Sequence, residues 1–283
     1  KQLDVQHSTV SRRVKALEKQ LGTNLVRRNK GVYQLTDAGK RIRNAALKVE
    51  REITSVDGTL LRDSDPLTGR LRVTTINAMA STILMPMFGA FSEAYPQVDL
   101  HLMVSAETVN LTNREADVAI RLSNSPPEVL IGTRVVTVSS TVYGSIVYLE
   151  RCQAGESDLK WLGVSCCSFH TAWTRESRDS ETHQFNGDDA MLTLAAVREG
   201  LGVAWLPCHI GDTEPTLRRY CEPETKFDLG LWVLIHPESR SNLRVVAFRD
   251  FMVKAIADQK GLFAGRTEKE KDQALFTPDK REQ

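Results

Sequence analysis

The chain has 283 residues, 41% of them hydrophobic and 26% charged, with a formal net charge of +1. That length allows two or three folded units with sizeable cores. No apolar run approaches the ~20 residues a membrane span needs and no basic-then-apolar leader opens the chain, so a soluble, cytoplasmic protein without a membrane partner is expected. Five cysteines, Cys152, Cys166, Cys167, Cys208 and Cys221, lack CxxC spacing and are odd in number, which argues against a disulfide framework and suits a reducing compartment. The charge is unevenly placed: residues 1–62 hold 14 Lys/Arg against 6 Asp/Glu, a net of +8 that leaves −7 for the rest. A basic head for a polyanion and a near-neutral or acidic body are the consequence.

From Gln6 to Leu21 the apolar residues Val10, Val14, Leu17 and Leu21 recur at spacings of four, three and four, one face of a helix that Gly22 ends. Around that face stand short hydroxyls and long cations, the residue types with which a helix in a major groove reaches base edges and neutralises phosphates. Taken alone, the helix reads equally well as an ordinary solvated basic face. "LVRRNKGVYQLTDAG" then predicts a strand, a tight turn at Asn29-Lys30-Gly31 carrying cations, and a second strand over Val32 to Leu35. A helix followed by a basic hairpin is the plan of a winged helix-turn-helix.

"STVSRRVKALEKQLGTNLVRRNKGVYQLTDAG" closely resembles the DNA-binding head of LysR-type transcriptional regulators. The resemblance implies that the helix holding Ser8 to Arg13 enters the major groove and the wing touches the flanking backbone. The DNA-contacting set expected on it is His7, Ser8, Thr9, Ser11, Arg12, Arg13 and Lys15 from the helix with Arg28, Asn29 and Lys30 from the wing. The sequence departs from the family in that Ser8 stands where many members have Pro. Lys1 also falls within what reads as the tail of a helix, so a preceding N-terminal piece is expected, without which the apolar stripe of the recognition helix loses its cover.

After the wing, Thr36 is a plausible N-cap with Asp37 in the first turn. Ile42, Ala46, Val49, Ile53, Val56 and Leu60 then follow spacings of 4, 3, 4, 3, 4, the 3.5-residue period of a coiled-coil seam. One helix cannot bury such a seam alone. Packing on the chain's own body is one solution; the family resemblance favours antiparallel pairing of two linker helices, a dimer or tetramer carrying paired heads. "RDSDPLTG" follows as a polar hinge.

From Gly69 strands alternate with helices: "RLRVTTI" as a strand, "NAMASTILMPMFGAFSEAYP" as a helix, "VDLHLMVS" as a strand, "TVNLTNREA" as a short helix or turn, "DVAIRL" as a buried strand. Such alternation predicts an α/β fold with a largely parallel sheet. A second α/β unit is expected from "STVYGSIVYLERC" through "WLGVS", "DDAMLTLAAVREG" and "LGVAWLP", with Asp188 or Asn186 capping the helix that Gly200 ends. "GLWVLIHPESRSNLRVVAFRDFMVKAI" returns as a strand, a turn at Pro237 and a helix. The whole resembles a two-lobed periplasmic-binding-protein fold, and "EADVAIRL", "VYGSIVYLER", "AAVREGLGVAWLP" and "LWVLIHPESRSNLRVVAFRDFM" resemble the effector-binding domain of the same regulators. The expected organisation is a winged helix-turn-helix over 1–36, a linker and dimerisation helix over 37–62, a hinge over 63–69, and an effector-binding domain over 70–256. Its lobe I takes about 70–139 and 236–256, its lobe II about 140–235, and 257–283 form a charged tail without fixed structure.

On that resemblance an interlobe cleft is lined by Thr75, Asn77, Ser105, Glu107, Arg121 and Ser123 from one lobe and Ser165 and Phe169 from the other, and it takes a small-molecule effector, a metabolite. Each has a plainer role open to it: Thr75 and Asn77 as helix caps, Arg121 as a partner of Asp117 or Glu115. Glu107 would repel a simple organic anion and suggests a ligand with a donor group. "CCSFH", residues 166–170, offers thiols and an imidazole, but adjacent strand residues face opposite ways and do not converge on one metal. There is no GxSxG elbow, no phosphate-cradling loop and no HExxH. The sequence therefore predicts a DNA-binding transcription factor without catalytic residues, metal or cofactor, with double-stranded DNA, an effector, further copies of itself and RNA polymerase as partners. The alternatives are a small-molecule binding protein or enzyme with an incidental basic head, and a regulator that senses oxidants through Cys166 or Cys167 with Cys208.

Overall fold

The computed structural model describes residues 7–29, 32–46, 49, 67–105, 116–165 and 185–266, in two compact units that divide between Asp65 and Pro66. In the first unit, helix α1 (His7–Leu21) leads into strands β1 (Val26–Asn29) and β2 (Val32–Leu35), which pair antiparallel with Val26 opposite Leu35 and Asn29 opposite Val32. Gly22 takes φ +66°, a conformation that favours glycine and stops α1. Glu18 ties helix to wing, its carboxylate accepting from Leu25 N (2.7 Å) and Val26 N (3.0 Å). Thr36 caps helix α2, described over 37–46 and at Val49: its Oγ accepts from Gly39 N at 3.0 Å and donates to Asn24 O at 2.7 Å. A Cβ on Gly39 would lie 2.0 Å from the Leu25 carbonyl oxygen, so this close approach admits only glycine.

The second unit is built on a five-stranded sheet of order β4-β3-β5-β12-β6, comprising β3 (Gly69–Thr75), β4 (Val98–Val104), β5 (Val118–Ser123), β6 (Ile131–Val138) and β12 (Leu229–Ile235). Strand β3 runs parallel to β4 and β5, whereas β12 runs antiparallel to both β5 and β6. Strands β3, β4, β5 and β6 therefore share one direction and β12 opposes them, so the expected largely parallel sheet holds for four of its five strands. Among the described residues a crossover helix links β3 to β4, as parallel pairing requires, and β12 re-enters from the other lobe in the opposite direction. That helix, α3, is continuous from Asn77–Met79 through a π-helical segment, Ala80–Leu84, into Met85–Ala94. Pro86 lacks an N–H and its ring crowds the carbonyl four residues earlier, which accounts for the widened turn just before it. Helices α3 and α7 (Leu243–Asp258) pack together through Phe91 and Phe248, ring centroids 4.9 Å apart and edge to face, over a core that includes Val73, Ile120 and Val233.

The second lobe has a three-stranded antiparallel sheet of order β10-β7-β11, from β7 (Ser140–Ser145), β10 (Ala204–Pro207) and β11 (Leu217–Arg219), and a short parallel pair, β8 (Gly163–Val164) with β9 (Asn186–Gly187). Helices α4 (Ile146–Gln153), α5 (Ala190–Arg198) and the single turn α6 (Cys208–Gly211) complete it. Asp189, rather than Asp188 or Asn186, caps α5, accepting from Met191 N (2.8 Å) and Leu192 N (3.3 Å). Two boundaries also move. Strand β12 belongs to the first lobe, so the return crossing precedes Leu229 and lobe II does not run to 235. The chain is also ordered beyond 257: α7 ends at Asp258, helix α8 (Lys260–Phe263) follows, and Phe263 is fully buried in the first lobe's core. Burying one aromatic ring outweighs the charged composition around it. The remainder of the tail expected over 257–283, residues 267–283, and the short helix expected near 108–116 lie outside the described residues, except Ala116, which is buried.

Candidate functional site

In the head, Arg12, Arg13, Lys15 and Lys19 are all exposed along α1, and Thr9 and Ser11 are half-buried. His7 and Ser8 lie in the first turn of α1 and Arg28 and Asn29 in strand β1, while the turn residue Lys30 lies outside the described residues. Arg12, Lys15 and Lys19 share one helix face and Arg13 flanks it, cations turned to solvent as neutralising a row of phosphates requires. The stripe on the opposite side is exposed too: Val10 at 42%, Leu17 at 38% and Leu21 at 44%. Of the seam residues, Ile42 is half-buried and Ala46 and Val49 are exposed; Ile53, Val56 and Leu60 lie outside the described residues.

In the second unit, the carboxyl ends of β3, β4 and β5 lie side by side, with Ser105 N donating to Thr75 O at 3.0 Å. This register brings Thr75, Ser105 and Arg121 together. Arg121 is 3% exposed and donates through Nη2 to Thr74 Oγ1 (2.8 Å) and through Nη1 to the Ser105 carbonyl. Burial lowers its guanidinium to about 10, which leaves it charged at neutral pH. The alternative pairing with Asp117 does not occur, because that carboxylate is taken by Arg72, at 2.8 Å from its Nη2 and 2.8 Å from its backbone N. The hydroxyl of Thr75 is buried and has no hydrogen-bond partner among the described residues. Ser123 ends β5, its Oγ accepting from Ser125 N at 3.0 Å to close a turn.

Asn77, at the start of α3, reaches the other lobe. Its Nδ2 donates to both oxygens of Asp189, at 3.2 and 3.1 Å, while its Oδ1 accepts from Ser81 Oγ at 3.0 Å. Ala78 beside it packs into the second lobe's core with Leu194 and Val197. Ser165 is exposed just past β8 and donates from N (2.8 Å) and Oγ (3.3 Å) to Gly187 O, two residues before Asp189. Thr75, Ser105 and Arg121 thus lie together at one end of the first lobe's sheet, and Asn77 joins this lobe to Asp189 of the second, with Ser165 bonded two residues before it. Glu107 and Phe169 lie outside the described residues. Asp189 was not foreseen as a cleft residue; its sequence signal was the capping position, which the neighbouring Asp188 shares.

Where the chain crosses between lobes, a second polar group was not foreseen. Asp212 accepts from Tyr143 OH (2.7 Å) and from Arg219 Nε (2.9 Å) and Nη2 (2.7 Å), and Arg219 also donates to Gly265 O at 2.7 Å. Burial pulls the Arg219 guanidinium down, but its bond to Asp212 wins and raises it; burial and then the Cys208 and Asp212 charges raise the Tyr143 phenol. Next to this cluster His209 is 1% exposed with neither ring nitrogen hydrogen-bonded among the described residues, and burial holds it down to about 3. Its ring lies 5.2 Å from that of Phe263. Burial pushes the Cys208 thiol up to about 12, so it is a poor source of the thiolate an oxidant sensor requires. Cys166, Cys167 and His170 lie outside the described residues, and no helix among those described is long and apolar enough to cross a membrane.

The profile described as bacterial regulatory helix-turn-helix protein, lysR family, matches residues 1–40, and that of the LysR substrate binding domain matches residues 64–257. The chain is 25% identical over 273 residues to the HTH-type transcriptional regulator CrgA of Neisseria meningitidis serogroup C, covering 91% of this chain and 90% of that one. It is likewise 25% identical over 279 residues to a probable HTH-type transcriptional regulator, LtrA, of Klebsiella pneumoniae, covering 92% and 89%. Among solved structures, the full-length virulence activator AphB of Vibrio cholerae superposes with a TM-score of 0.56 at 21% identity over 88% of this chain and 90% of that one. Neisseria meningitidis CrgA superposes with a TM-score of 0.53 at 22% identity over 89% and 90%. With a basic helix-and-wing head and a two-lobed body whose sheet ends in a cluster of polar side chains, the chain belongs to the LysR family of transcriptional regulators, joining a DNA-binding head to an effector-binding domain.

Proposed function

We infer that Thr75, Asn77, Ser105 and Arg121 hold a small-molecule effector between the lobes, and that its binding shifts the relative position of paired heads on an operator. The observation that carries this reading is the buried Thr75 hydroxyl, without a hydrogen-bond partner among the described residues, at the end of the sheet where Arg121 is buried. A site of this kind stabilises whichever lobe arrangement it completes, so ligand binding acts as a conformational switch and requires no bond making. On the same reading Thr9, Ser11, Arg12, Arg13 and Lys15 face the major groove, the wing contacts flanking phosphates, and the seam from Ile42 onward pairs two copies. The protein then works in the cytoplasm, where its DNA is, with RNA polymerase as a further partner at the promoter.

The test is a thermal-shift screen of metabolites on the full chain. A ligand at 100 times its dissociation constant stabilises the body by about 2.7 kcal/mol. Thr75→Val, which keeps shape and loses the hydroxyl, should shrink the shift produced by a hit, and the same hit should change the affinity for upstream DNA. A hit whose shift is indifferent to Thr75→Val and to Arg121→Met contradicts the assignment.

A further inference from the structure

We propose that Asp189 is the second lobe's recognition point for a hydrogen-bond-donating head group of the effector, an amidine, amide or ammonium, which takes the place of the Asn77 amide at the Asp189 carboxylate. The proposal rests on the reading of the cleft as the effector site. Three observations carry it. First, Asp189 is held in place: its Oδ1 accepts from Met191 N and Leu192 N, so its own helix fixes the carboxylate. Second, the carboxylate is met by an amide from the other lobe, with Nδ2 of Asn77 3.1 Å from Oδ2 and 3.2 Å from Oδ1. Third, two residues before Asn77 the buried Thr75 hydroxyl lacks a partner among the described residues, so the same end of the cleft holds a polar group that a ligand would satisfy.

A carboxylate at this place decides the chemistry admitted. An effector presenting a carboxylate or phosphate to the second lobe would set two anions together beside a half-buried residue, whereas a group with two N–H donors reproduces what Asn77 does now.

The experiment is chemical rescue in the full chain. Asn77→Ala removes a carboxamide of three heavy atoms, and formamidinium restores three heavy atoms with two N–H donor groups; formate has the same shape and the opposite charge. Hydrogen exchange read on peptides covering Thr75–Leu84 and Ala190–Arg198 reports whether the two lobes stay in contact there. Asn77→Ala should speed exchange in both peptides severalfold. Formamidinium, titrated to about 100 mM because so small a ligand binds weakly, should slow it again, formate should not, and Asn77→Ala combined with Asp189→Asn, which keeps the helix cap, should abolish the rescue. Unchanged exchange in Asn77→Ala, no rescue by formamidinium, or equal rescue by formate or in the double variant overturns the proposal. Any of these results, obtained while a metabolite still shifts the wild-type melting through Thr75, leaves the cleft as the effector site and removes only the role of Asp189.

Discussion

Replacing Arg219 by methionine isolates what holds the crossing between the lobes. The side chains of Arg219 and Asp212 are 9% and 5% exposed and joined by two hydrogen bonds, so the variant leaves a buried carboxylate facing only the Tyr143 hydroxyl. Breaking a buried pair by removing one partner costs about 3–5 kcal/mol. The bond from Arg219 to Gly265 O is lost as well, and with it part of the anchorage of α8. For a unit of this size, about 2–4 °C of melting temperature accompanies each kcal/mol, so a fall of about 6–20 °C is expected. Replacing both partners, with Asp212→Leu added to Arg219→Met, removes the stranded charge and should cost less than Arg219→Met alone. Calorimetry of the full chain, following the transition of the unit beginning at Pro66, reads both. A fall below about 2 °C for Arg219→Met, or a double variant losing the sum of the two singles, would refute this account of the cluster.

His209 predicts a pH dependence. Its imidazole is held near 3 in the folded chain and near the ordinary 6.5 in the unfolded one, so the unfolded state takes up its proton first. Stability is then full above pH 6.5 and falls as the solution is acidified towards 3, by about 1.4 kcal/mol per pH unit from this one group. Urea unfolding at pH 7 and pH 5 should show His209→Phe losing less stability on acidification than the wild type; equal losses contradict the prediction. Glu18→Ala removes the acceptor of two wing N–H groups and should destabilise the head by about 1–3 kcal/mol, with Glu18→Gln milder, measured by urea unfolding of the full chain monitored in the head. Arg12→Ala should weaken binding to all DNA sequences alike and lower the slope of log affinity against log salt by about 1, measured by anisotropy titration.

How far the sequence reached depends on whether the signal was local. The stripe from Val10 to Leu21, the turn at Asn29 and the cap at Thr36 are written in adjacent residues, and the described elements fall there within a residue or two. Strands β3, β4 and β5 were likewise readable as apolar runs between breakers. What depended on tertiary contacts was not. Leu229–Ile235 reads as a buried strand in either lobe, and only the return path of the chain assigns it to the first lobe. Phe263 sits in "KGLFAGR", too short a segment to show periodicity, and is buried by packing against residues far away in sequence. Asp188 and Asp189 are equivalent as caps on paper; a rotation of one residue decides which meets Asn77 112 positions earlier. The Asp212–Arg219 pair likewise needs the turn of α6 to bring its two members together.

The most direct measurement of the central claim, that the cations of α1 place this chain on double-stranded DNA, is an anisotropy titration of the full chain on DNA from upstream of its own gene and on a shuffled duplex across a range of salt. The account predicts tighter binding to the upstream DNA and an affinity that falls linearly in log–log coordinates with rising salt, by about 0.9 in slope for each phosphate neutralised. Equal affinity for both duplexes, or binding that ignores salt, would contradict it.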